Sequence, residues 1–140
     1  MMNERYLFRG KRMDNGEWAQ GGYVFVTTAD DSRHLGDTHL IYPDAPSVRV
    51  YPDTLGQCTG LRDKNGALIF EGDVLERAGI GAGKYLAEWQ DHSGRYLGVS
   101  CKRMNPKNDG TRWIVYLSDT ENGHYEVVGN IHDNPELLDK

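Results

Sequence analysis

The 140-residue chain is long enough for one domain or two small subdomains, and its 17 glycines point to a loop-rich fold. A net charge of −5 at pH 7 excludes a dominant basic footprint for nucleic acid, and no apolar run approaches the length that crosses a bilayer. Met1 to Arg5 leads into no apolar segment, so no secretory leader is expected, and Cys58 and Cys101 are expected as buried reduced thiols in a cytoplasmic protein.

Aromatic residues are plentiful, alanine is sparse, and no stretch carries a long helical apolar period, which predicts a mainly β fold. Arg5 to Arg9 alternates polar and apolar side chains as a half-buried strand does. Met13-Asp14-Asn15-Gly16 supplies turn chemistry, and Glu17 to Gln20 is predicted to return as a second strand with Trp18 inward. Gly21-Gly22 should break that strand. Tyr23 to Thr27 then reads as a third, buried on both faces or nearly so. Ala29 to Thr38 has loop composition; His39 to Tyr42 and Val48 to Tyr51 are short extended pieces flanking Pro43 and Pro46.

The second half is more regular. Gln57 to Thr59 and Ala67 to Phe70 flank Asp63-Lys64-Asn65-Gly66, where Asn65-Gly66 suits a type I′ hairpin turn. Strands follow at Val74 to Arg77, Tyr85 to Trp89, Arg95 to Ser100, Trp113 to Leu117 and Tyr125 to Val128, divided by Gly- and Asn-rich turns. Asn134 can cap a short terminal helix with Pro135 at its first position, so that Leu137 and Leu138 fold onto the core. Strands at this spacing predict a small barrel or a sandwich.

Three segments resemble the YopX family of phage and prophage proteins. They are Arg5-Tyr6-Leu7-Phe8-Arg9-Gly10-Lys11 with Gly16-Glu17-Trp18; Gln57 through Gly66 continuing to Ile69-Phe70-Glu71-Gly72-Asp73-Val74; and Val128 through Leu138. The resemblance implies one family domain over 1–140, with a smaller β-rich N-terminal part at 1–55. An SH3-like barrel follows at 56–140 and ends in a short helical turn. It also implies a phage or prophage origin within a bacterial host, and no known reaction.

The residues themselves announce no catalytic constellation. No Cys-x-x-Cys or compact His spacing marks a metal site, Cys58 has no local base, and Gly79, Gly81 and Gly83 lack the Lys-Ser/Thr of a phosphate loop. No cofactor, metal or catalytic residue is therefore expected. Glu71 and Asp73 read as turn carboxylates. The family segments leave Gln57 and Thr59 able to face either an internal network or a partner, and Asn130 shares that ambiguity.

Exposed aromatics would anchor a partner, the candidates being Tyr23, Tyr42, Tyr51, Tyr96 and Tyr116. The favoured expectation is a non-enzymatic binding or regulatory module for a host or phage protein, with Gln57, Thr59, Tyr51 and Asn130 as partner-binding residues. A self-assembling structural protein joined through an edge strand such as Tyr23 to Val26 is the first alternative, giving a homo-oligomer. A nucleic-acid-binding barrel is the second, resting on the basic groups Arg9-Lys11-Arg12 and Lys102-Arg103 with Lys107, and the acidic balance argues against it.

Overall fold

A computed structural model describes residues 4–26, 38–42, 47–79, 82–91, 94–103, 112–117 and 124–138, with backbone only at 99–100, 102–103, 112–113 and 116. The predicted loop at Ala29 to Thr38, apart from Thr38, lies outside these residues, as does most of Lys102 to Gly110. Eleven strands and short 3-10 turns make up the described chain, with no α-helix among them. The fold is mainly β, as composition and periodicity implied. Two compact units divide it, Met1–Cys58 and Thr59–Lys140.

The first unit holds β1 (Phe8–Lys11), β2 (Trp18–Val26), β3 (Thr38–Tyr42), β4 (Val48–Arg49) and the first residues of β5 (Gly56–Arg62). Hydrogen-bonded neighbours run β4-β3-β2-β1-β5, and the pairings are antiparallel. Its opening differs from expectation: Glu4–Tyr6 forms a 3-10 turn, with the Leu7 N–H donating to the Glu4 carbonyl, so the first strand starts only at Phe8. A single bridge, Arg12 to Val50, brings the end of β4 back toward the end of β1, supported by Tyr51 N–H to Lys11 C=O at 2.9 Å. Ala19, Ile41 and Val50 form a small core, with Phe8, Tyr23, Val48 and Leu55 packed against it.

Strand β2 overturns three expectations. Gly21-Gly22 does not break it; residues up to Gly21 pair with β1, and from Gly22 onward they pair with β3. Ladder bonds on one edge or the other hold the glycines extended despite their poor strand propensity. Trp18 is half-buried rather than inward, because alternation puts Ala19 and Gly21 on the core side. Val24, Phe25 and Val26 are 42%, 47% and 40% exposed, so this segment is not buried on both faces.

In the second unit the end of β5 lies beside β6 (Leu68–Phe70). A separate five-stranded sheet follows the order β10-β9-β8-β7-β11. It consists of β7 (Asp73–Arg77), β8 (Gly83–Gln90), β9 (Arg95–Arg103), β10 (Arg112–Tyr116) and β11 (Tyr125–Asn130). Consecutive strands pair as a meander, and β11 returns to β7. No pairing joins β10 to β11 among the described residues, so the sheet stays open. Ile69, Leu75, Tyr85, Ala87, Tyr96, Leu117 and Tyr125 form its core. Close packing explains Gly98: a Cβ there would lie 2.9 Å from Val115 Cγ2 and 3.2 Å from Tyr85 Cβ.

Turn geometry in this unit centres on Asp63, which is buried. Oδ1 accepts the Asn65 and Ala67 N–H groups at 2.9 Å each, and Oδ2 accepts the Val127 N–H at 2.9 Å. One carboxylate thus closes the β5–β6 hairpin and ties it to β11. The Gly66 N–H donates to the Asp63 carbonyl, placing Lys64 and Asn65 at the turn centre and Gly66 after it at φ 85°. That corrects the type I′ expectation, which needs Asn65 and Gly66 as the central pair; a glycine bulge closes the hairpin instead.

The terminal turn also differs in its cap. Pro135–Leu137 is a 3-10 turn, but the Asn134 side chain does not cap it. Asn134 Oδ1 instead accepts the Asn130 N–H at 3.2 Å, drawing the turn back to the end of β11. A Cβ on Gly129 would sit 2.9 Å from Leu137 Cδ1, so Leu137 packs where that glycine leaves room.

Candidate functional site

Alternation along the strands of the first unit sorts its side chains into two faces. Ala19, Gly21 and Ile41 turn inward to the core. On the opposite face the register sets Lys11 against Trp18 and Arg9 against Gln20. Further along, Gly22 lies opposite Tyr42, and Val24, Leu40 and Arg49 form one row across three strands. Val24, Val26 and Tyr42 are 40–45% exposed. Arg9, Lys11 and Arg49 are the charged residues on this face of β1 to β4, and none of these four strands contains an Asp or Glu. In a chain of net charge −5, this is a local reversal.

Trp18 organises the cationic end. The Arg9 guanidinium lies 4.8 Å from its ring centroid and the Lys11 ammonium 5.4 Å. Each cation–π contact at such a site contributes on the order of 0.5–1 kcal/mol, enough to orient the side chains. The other end is apolar. Around the strand margin the Tyr23 hydroxyl bonds His39 Nδ1 at 2.6 Å with the rings stacked, and Phe25 leans on the same imidazole at 4.9 Å. Burial pushes the Tyr23 hydroxyl pKa up.

Beside this face lies an open depression of about 460 Å³, lined by Arg12, Met13, Asp14, Ser47, Val48 and Arg49. Arg12 donates to both Asp14 oxygens, Nε to Oδ1 at 2.9 Å and Nη2 to Oδ2 at 2.8 Å. This fork raises the Arg12 pKa and lowers that of Asp14. With its charge largely answered internally, Arg12 adds little attraction for an incoming anion.

The residues singled out from the sequence are not brought together. Thr59 is buried, and its hydroxyl donates to the Ile69 carbonyl at 2.8 Å and accepts the Leu61 N–H at 3.1 Å. Gln57 is half-buried and donates to the Arg5 carbonyl at 2.6 Å. Asn130 Oδ1 accepts the His132 and Asp133 N–H groups, the side-chain turn that its sequence context allows. Tyr51 alone of the four presents a largely exposed ring, at 45%.

Among the aromatic anchors, Tyr42 is exposed and Tyr23 half-buried, whereas Tyr96 is buried in the core, which removes it from the set. The Tyr116 side chain lies outside the description. Sequence reasoning missed Val24, Val26, Leu40 and Arg49 as one surface. The usable signal was the stretch Gly21 to Thr28, which has no charged residue in a chain that is 26% charged.

Asp73 accepts the Phe70 N–H at 2.8 Å in the β6–β7 turn, and Cys58 and Cys101 are both buried thiols. Among the described residues no three His, Cys, Asp or Glu side chains group as metal ligands, and no helix is long and apolar enough to cross a membrane.

No curated protein matches this chain. Among solved structures, the crystal structure of protein EF1440 from Enterococcus faecalis is similar, with 24% identity, 94% of this chain and 96% of that chain covered, and a TM-score of 0.40. The YopX protein family matches residues 7–139, which contain the second and third segments noted in the sequence and all of the first but Arg5 and Tyr6. On that match the chain belongs to the YopX family.

Proposed function

We propose that this chain is a non-enzymatic binding module whose first unit presents the outer face of β1 to β4 to an acidic protein segment bearing apolar side chains. The observation that carries the reading is the segregation on that face: exposed Val24, Val26 and Tyr42 beside Arg9, Lys11 and Arg49, on four strands that contain no Asp or Glu. Apolar contact supplies the affinity of such a surface, and charge of one sign selects an acidic partner and suppresses basic ones. Aliphatic side chains dominate the exposed part, and the Trp18 ring is engaged by its own cations. Both features favour a protein over stacked bases.

The same reading takes the second unit as an SH3-like scaffold. A four-stranded meander with a fifth strand returning beside the first supports it. Phage or prophage origin and a cytoplasmic setting complete the reading.

A photo-crosslinking side chain at Tyr42, with one at exposed Glu88 as control, tests it in host lysate. The expected result is capture from position 42 alone, at an acidic segment. It should be lost in Lys11→Glu/Arg49→Glu, or in Lys11→Gln/Arg49→Gln if charge reversal lowers the melting temperature. Equal capture from both positions, or capture indifferent to the two cations, overturns the reading.

A further inference from the structure

Where the end of β4 meets the end of β1, the ladder between them is short. The Val50 N–H donates to the His39 carbonyl at 3.1 Å, so Val48 and Val50 direct their backbone groups to β3. Arg49 turns the other way, and its carbonyl accepts the Met13 N–H at 2.9 Å. A continued ladder would bond the Arg49 N–H to Met13 in return. The chain instead closes into the β1–β2 turn, with the Gly16 N–H on the Arg12 carbonyl at 2.8 Å. No backbone acceptor meets the Arg49 N–H among the described residues. The open depression beside the outer face lies where that ladder stops.

Three charged residues border this depression: Arg12, Asp14 and Arg49. Arg12 holds Asp14 at both carboxylate oxygens, so those two charges answer each other. That leaves Arg49. Its side chain is exposed and enters no hydrogen bond or ion pair among the described residues. Met13, also exposed, supplies an apolar wall, and Ser47 and Val48 complete the lining. One net positive charge, an open backbone N–H and an apolar wall suit a monoanion on a hydrocarbon stem. A phosphate dianion would bring a second charge that Arg49 does not balance, with Asp14 beside it.

We propose that the depression takes the side-chain carboxylate of a glutamate or aspartate in the acidic segment, and that Arg49 selects it. This inference rests on the acidic-partner reading of the outer face. Strand register supplies the link. Arg49 ends the row that runs through Leu40 to Val24, two strand spacings or about 10 Å away. A segment lying on that row meets the apolar side chains and the depression together, and it can continue past them, so no chain end is required. The Arg49 guanidinium can hold the carboxylate through two N–H groups in a fork. Arg9 and Lys11, gathered at Trp18, attract the same partner without forming this seat.

Amide chemical shifts of the full chain, followed by NMR as a Leu-Glu-Leu peptide capped at both ends is added to its solubility limit, test the assignment. Saturable shifts are expected at Met13, Ser47 and Arg49, with none at Val127 in the second unit. Capped Leu-Gln-Leu should bind about fivefold more weakly, the loss of one charge-assisted pairing at an exposed site. Added salt should erode that difference. Arg49→Gln should abolish the preference and melt as wild type. Arg49→Lys should keep part of it, because an ammonium retains the charge and loses the fork. Equal binding of the two peptides overturns the proposal. So does a preference that survives Arg49→Gln, a set of shifts centred on Lys11 and Trp18, or no saturable shift at all. Leu-Gln-Leu with a free carboxyl end, binding where capped Leu-Glu-Leu does not, would overturn the side-chain source and put a chain terminus there. Capture through Tyr42 without any peptide preference removes the depression and keeps the surface; a preference at Arg49 without such capture does the reverse.

Discussion

The two units of this chain handle their apolar and polar groups in opposite ways. The second buries seven hydrophobic residues in one core and uses a buried carboxylate, Asp63, to bind three backbone N–H groups from two places in the chain. The core cluster of the first holds three buried hydrophobics among the described residues, and Tyr6, Met13, Val24, Phe25, Val26, Tyr42 and Tyr51 are 40% exposed or more. A small sheet has too little interior to use all its apolar side chains. Surface apolar groups gathered on one strand and its neighbour mark a place for association, whereas a turn-locked core marks a scaffold.

The sharpest way to break this contrast is to remove the carboxylate. Asp63→Ala leaves the Asn65, Ala67 and Val127 N–H groups without their acceptor and should destabilise the second unit by about 3 kcal/mol. Hydrogen exchange should accelerate at the β5–β6 hairpin and β11, and protection in β2 and β3 should persist. Unchanged exchange at Val127 would show that the tie is not what holds β11.

A smaller effect is expected from crowding the first unit. A Cβ on Gly10 would lie 2.9 Å from Val50 Cβ and Cγ2, within the small core. Gly10→Val should cost about 2 kcal/mol through overpacking, read as a lowered unfolding midpoint in denaturant. If the midpoint holds, the core of this unit repacks easily, and its contrast with the second unit grows.

The smallest effect concerns the exposed fork between Arg12 and Asp14. Hydrogen bonding from Arg12 lowers the Asp14 pKa in the folded chain, so its stabilising contribution is present above the unfolded pKa. It is lost as pH falls through the folded pKa. Asp14→Asn should remove that acid-side dependence and leave the melting temperature at neutral pH nearly as it was, because exposed pairs contribute little. A large loss at neutral pH would show that the fork braces the Met13 turn.

Much of the candidate surface was hidden in the sequence for a reason visible at Trp18. A tryptophan in an alternating strand invites an inward assignment, yet Ala19 and Gly21 occupy the core side and Trp18 is held by Arg9 and Lys11 on the other. Nor does local pattern reveal that Val24 to Val26 is exposed. Four apolar residues in a row suit a strand buried on both sides as well as one that outruns its neighbour, and only the early end of β1 decides between them. Thr59 and Asn130 show the converse. Both sit in family segments as polar residues of open meaning, and both are consumed by backbone bonds.

What the amino-acid sequence by itself determined is the β class, the turn at Asp63 to Gly66, the side-chain turn at Asn130 and, through three ordered segments, the family. These are local matters, set by alternation and by short polar side chains reaching backbone one to four residues away. Tertiary structure decided the rest. The Asp63 bond to Val127 spans 64 residues, Gly10 is required by Val50 and Gly129 by Leu137, and the outer face of β1 to β4 exists only once four strands take their register. Register and close approach join residues far apart in the chain, and a one-residue slip would turn each outward side chain to the core.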